Sequence, residues 1–100
     1  MDFSKALAQL KTGQKIRRKE WISPLWIVVM PALYLPPAST AIEGPKVNER
    51  TARHIGYERP LDSQPYLAAW TSDRKWQPGW MPSQSDLFAE DYEVCDGPPV

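Results

Sequence analysis

The sequence predicts an α+β fold: a small antiparallel sheet with an N-terminal helix and a short C-terminal helix. Three observations carry this. Phe3, Ala6, Leu7 and Leu10 recur at helical spacing. Leu25 to Met30 (LWIVVM) is a β-branched apolar run ended by Pro31. Tyr66 to Trp80 reads as two strand arms around the turn Ser72-Asp73-Arg74-Lys75.

The first helix is expected over Phe3–Lys11, with Asp2 or Ser4 as its cap and Gly13 ending it in a left-handed conformation. Lys15 to Arg18 then alternates as a short strand with Ile16 inward. After Ile22-Ser23-Pro24 comes the apolar strand ending at Met30. Residues 31–64 hold five prolines and little periodicity, so they read as a long insertion loop. Within it, Asn48 to His54 suits a short capped helix ended by Gly56. Such a loop serves as a lid over a ligand, a contact arm, or a plain surface insertion.

Tyr66 to Thr71 is a strand with Tyr66, Ala68 and Trp70 on one face. Trp76 to Trp80 returns beside it, and Pro78 suggests an edge or a bulge. Ser83-x-x-Asp86 before Leu87-Phe88 has the form of a capping box opening a short helix. Tyr92 and Val94 alternate with acidic residues in a last strand. A single domain is expected over residues 1–96, followed by a tail at 97–100.

Composition narrows the function. A chain of 100 residues has a modest core. Five tryptophans, four tyrosines and two phenylalanines exceed what that core hides, so a homo-oligomer is expected. Twelve basic and twelve acidic residues balance, which argues against long nucleic acid but allows one small phosphorylated ligand. Cys95 is the lone cysteine and His54 the lone histidine, which removes disulfides, cysteine-rich zinc sites and most Ser-His or Cys-His arrangements. The start MDFSKALAQL lacks the basic and apolar regions of a secretion signal, and the most apolar stretch is broken by prolines. A cytoplasmic protein with no membrane contact is therefore expected. No Gly-rich phosphate loop, HExxH or nucleophile elbow is present, and no catalytic residue, cofactor or metal is expected.

Three constellations are candidates for binding. Trp21, Trp26, Trp70, Trp76 and Trp80 offer planes on which bases stack, or fill a core or subunit interface. Lys15, Arg17, Arg18 and Lys19 offer a phosphate clamp beside Trp21, or form a solvated edge strand. Ser83, Gln84, Ser85, Asp86, Glu90, Asp91 and Glu93 offer hydrogen bonds to riboses and base edges. The plainer reading makes Ser83 and Asp86 a helix cap and leaves the later carboxylates solvated. A hydrolase using Asp86 or Glu90 is a third, weaker alternative.

Two segments resemble a known family. They are FSKALAQL, Gly13 and the run KIRRKEW ending at Trp21, and then Gln77-Pro78-Gly79-Trp80, Pro82-Ser83-Gln84, Asp86 and Ala89-Glu90-Asp91. The pattern resembles the second type of Thoeris anti-defence protein, a small phage and prophage family. The resemblance implies a compact α+β homo-oligomer, commonly a tetramer, acting as a sponge in the infected bacterial host. It would sequester cyclic nucleotide-derived immune signals, such as cyclic ADP-ribose isomers or cyclic oligonucleotides, without cleaving them. On motif position and chemistry, Trp21 with Trp70 or Trp80 would stack on bases. Arg17 or Arg18 would pair with a pyrophosphate, and Ser83, Gln84 and Asp86 would bond riboses or base edges. Tyr92 stands where the family usually has tryptophan, and Ile22-Ser23-Pro24 where glycine or asparagine is usual. The alternative is a phage structural or protein-interaction module whose tryptophans serve a subunit interface.

Overall fold

The computed structural model describes residues 1–95; the tail expected at 97–100 lies outside them. Helix α1 (Phe3–Lys11) starts at Asp2, whose carboxylate accepts the Lys5 N–H at 2.9 Å. It ends at Thr12, and Gly13 follows at φ 96°, a conformation that suits a residue without Cβ. Strands β1 (Lys15–Arg18) and β2 (Trp26–Met30) come next. Then follow β3 (Leu33–Leu35), α2 (Glu49–Ile55) and β4 (Leu61–Ser63). The chain continues through β5 (Tyr66–Trp70), β6 (Trp76–Pro78), α3 (Gln84–Phe88) and β7 (Tyr92–Cys95).

Five strands form one antiparallel sheet in the order β6-β5-β2-β1-β7. Its register fixes two faces, because side chains alternate along each strand. Ile16 lies opposite both Ile27 and Val94, and Ile27 lies opposite Ala69. These residues pack with Ala6 and Leu10 of α1 and with Tyr92 into the main core. Leu10, Ile16 and Ile27 are fully buried, each contributing about 1.5–3 kcal/mol. The basic run is thus an inner strand, between β2 and β7, and not the solvated edge that its charge suggested.

The chain divides into two compact units, one of them spanning Pro31–Pro65. The segment read as a loop is folded. β3 and β4 pair antiparallel, with Leu35 opposite Leu61. Helix α2 is capped by Asn48, whose side chain accepts the Thr51 N–H at 2.8 Å, and it stops at Gly56. Ala38, Val47 and Ala52, with Leu35, Ile55 and Leu61 around them, make its small core. The two strands were hidden from the sequence by their length, three residues each, and by the flanking prolines. No helix among the described residues is long and apolar enough to cross a membrane.

Candidate functional site

Strand parity sets up the site. Ile16 points into the core, so Arg18, two residues on, does too, and it is only 8% exposed. A buried guanidinium must be met by charge and hydrogen bonds. Arg18 Nε donates to Asp91 Oδ1 at 2.8 Å and Nη1 donates to Asp86 Oδ1 at 2.8 Å. Its Nη2 donates to Glu20 Oε1. The carboxylates come from the β1–β2 connection, the first turn of α3 and the residue before β7. These bonds hold the guanidinium further above its already high pKa, the Asp91 contact contributing most.

Asp86 is the hub on the other side. Its Oδ2 accepts the Ser83 N–H at 2.9 Å while Ser83 Oγ accepts the Asp86 N–H at 3.1 Å, a complete capping box. Burial pushes the Asp86 carboxyl up. The Ser83 backbone, Arg18, the Ser83 hydroxyl and the Trp21 indole together outweigh it, and the group lies below the usual carboxylate range. Asp91 is lowered too, first by Arg18. The Tyr92 hydroxyl donates to Asp86 O at 2.6 Å. Burial foremost, and then the Asp86 charge, push the Tyr92 phenol up to about 12.

Trp21 sits on this knot. Its N–H donates to Arg18 O at 3.1 Å, and its carbonyl accepts from Arg17 Nη2 at 2.8 Å. Its half-buried ring meets Trp80 edge-on at 5.7 Å and Tyr92 edge-on at 6.1 Å. Trp80 is aimed there by a bulge: the N–H groups of Gly79 and Trp80 both donate to Leu67 O, at 2.9 and 3.0 Å, with Gly79 at φ 78°. The Pro78 signal for an edge or bulge thus marks both features. The Arg17 side chain is about one-third exposed, with Glu93 3.8 Å away.

A second aromatic array occupies the opposite face of the sheet. Trp26 lies directly across from Trp70, and Trp70 from Trp76. The Trp26 and Trp70 rings stack at 6.1 Å, and Trp70 and Trp76 are tilted at 4.8 Å. Lys15 Nζ lies 4.7 Å from the centre of the Trp26 ring. The indole N–H groups of Trp26 and Trp70 are buried without an acceptor among the described residues.

The structure therefore joins Arg18, Trp21, Trp80, Ser83 and Asp86 through direct contacts, while Arg17 has the opposite strand parity, lies across from Glu93 and reaches this cluster only through the Arg18 and Trp21 carbonyls. Gln84 begins α3 beside them, with its side chain exposed. Trp70 stands apart, on the other face, with Trp26 and Trp76. Asp91 departs from the solvated role expected of it, because it binds Arg18. The signal was available: an arginine two residues after an inward isoleucine needs carboxylates. Which acids supply them depends on contacts 68 and 73 residues away. Asp86 is held on both oxygens, Oδ1 by Arg18 and Oδ2 by the Ser83 N–H. No cluster of metal-ligating side chains occurs among the described residues.

No curated protein matches the chain. The family described as Tad2-like, the Thoeris anti-defense 2-like domain, matches residues 1–95, which takes in both resembling segments and everything between them. The protein therefore belongs to the Thoeris anti-defense 2-like family.

Proposed function

We propose that the protein is a sponge. It binds a cyclic nucleotide-derived immune signal, a cyclic ADP-ribose isomer or a cyclic oligonucleotide, and holds it intact in the cytoplasm of an infected bacterium. The observation that carries this reading is the family match over residues 1–95, placed beside a half-buried indole pair whose Trp21 carbonyl is bonded by a partly open arginine. In this reading Trp21 and Trp80 supply the base-stacking planes. Arg17 takes the pyrophosphate, since the Arg18 guanidinium is already surrounded by carboxylates. Gln84 and Ser83 meet the riboses. Arg18 and Asp86 act from beneath, by fixing Trp21 and the start of α3. No catalytic step is invoked.

The protein acts as a homo-oligomer, with a tetramer favoured. The indole row Trp26–Trp70–Trp76 favours a second role for tryptophan in the same molecule, as a subunit contact. If that role were the whole function, the chain would be an interaction module instead.

Calorimetric titration with cyclic ADP-ribose isomers and cyclic di- and trinucleotides tests the reading, followed by heat release and chromatography of the ligand. Tight binding with unaltered ligand recovered is expected. Trp21→Ala is expected to lose ligand and keep the assembly by light scattering, whereas Trp70→Ala changes the assembly. An altered product would make the protein an enzyme, and no binding across the panel would leave the interaction module.

A further inference from the structure

The Pro31–Pro65 unit carries a feature that the reading above does not use. Glu49, Ala52, Arg53 and Tyr57 line a concavity of about 260 Å³. Glu49 and Arg53 are one helical turn apart on α2, so their side chains rise from neighbouring positions on one face. At that spacing a glutamate and an arginine ordinarily pair with each other. Here they do not: among the described residues, no ion pair or side-chain hydrogen bond engages Glu49, Arg53 or Tyr57. The Tyr57 ring is exposed, and buried Ala52 leaves a small apolar floor between the charged groups.

The geometry points to a binding site for a guanine ring, at the scale of a mononucleotide. The volume lies just under the roughly 300–1,000 Å³ of ordinary small-molecule sites, which suits a single ring system. Guanine sets two acceptors, O6 and N7, beside two donors, N1–H and N2–H. A guanidinium bonds the first pair in fork geometry. A carboxylate accepts the second pair. Arginine and glutamate side by side complement that edge, and Tyr57 offers the plane for the ring. Adenine has no such pairing, because its exocyclic amine replaces the acceptor that Arg53 requires. Hypoxanthine keeps the arginine contacts and loses one of the two donors to Glu49.

The test is an NMR titration of the whole chain with GMP, IMP, AMP and inorganic phosphate, each to about ten millimolar, following the α2 amides. GMP is expected to shift the amides of residues 49–57 and to bind at least tenfold more tightly than AMP, with IMP between them. Glu49→Gln is expected to erase the GMP-over-IMP preference, and Arg53→Gln to weaken GMP at least tenfold. Both residues are exposed, and unchanged circular dichroism of the variants confirms that they fold. Equal binding of GMP and AMP, binding of phosphate alone, shifts confined to other residues, or no shift with GMP would each overturn the proposal. The sponge reading is probed by other ligands and other residues, so either can fail without the other.

Discussion

Replacing Arg18 with methionine isolates the knot on which Trp21 rests. Methionine keeps the length and apolar stem and removes the charge and every donor. Arg18 is buried, and Asp86, at 13% side-chain exposure, would be left with no cation. Removing one partner of a buried pair costs about 3–5 kcal/mol. Asp86 retains the Ser83 N–H, and Glu20 is 65% exposed and easily hydrated, so the lower end of that range applies, about 3 kcal/mol. For a domain with about 5–15 kcal/mol of stability, that is a large share. The assay is urea unfolding followed by tryptophan fluorescence, at one fixed protomer concentration because assembly adds to apparent stability. A double-mutant cycle with Asp86→Asn separates the pair from its surroundings. The coupling has a pH signature as well. The Asp86 pKa is lower folded than unfolded, so its stabilisation is complete above the unfolded value of about 4 and is lost as pH falls through the folded value. Arg18→Met should flatten that acid limb. A loss below about 0.5 kcal/mol, with the acid limb unchanged, would refute the view that this cluster is a buried, mutually dependent unit.

Further outcomes follow from the same contacts. The Tyr92 phenol titrates higher folded than unfolded, so its contribution is present below the unfolded value of about 10 and lost as pH rises toward 12. Tyr92→Phe should remove that alkaline loss of stability, and should cost about 1 kcal/mol at pH 7 for the bond to Asp86 O, read by thermal unfolding. Gly79→Ala places a Cβ in open space but at φ 78°, so its cost is backbone strain alone, about 1–2 kcal/mol. Because Gly79 aims Trp80, ligand affinity should fall along with it. Ile27→Ala, at a fully buried position, should cost about 3 kcal/mol and lower the melting temperature by more than 10 °C.

Most of the sheet was legible because it is written in local chemistry. The period of Phe3, Ala6, Leu7 and Leu10 marks α1, and the β-branched run marks β2. Ser83 and Asp86 announce α3 by their spacing, and both halves of the expected capping box are present. What stayed hidden is non-local. Nothing near Arg18 says that Asp86 and Asp91 will reach it, and so the same arginine reads as a solvated cation or a phosphate clamp. Trp70 looked interchangeable with Trp80 as a stacking plane, because both follow strand-like residues. Separating them needs the Gly79 bulge, which turns Trp80 toward the core side, while the plain alternation of β5 leaves Trp70 on the far face. The folding of residues 31–65 was obscured for another reason. Its strands are too short to show a period, and its prolines carry the usual mark of irregular chain.

The position of β7 next to β1 gives the protein a particular history on the ribosome. Strand β1 is inner only once the last described strand has docked against it, and the positive charge buried at its end is neutralised by acids made some seventy residues later. Until those acids emerge, Arg18 must stay in water, and the hydrophobic floor of β1 and β2 stays open with it. Residues 1–30 therefore wait, unfolded or transiently collapsed, until β7 has been made. Folding becomes a late and concerted event, in which closing the sheet, seating α3 and positioning Trp21 happen together.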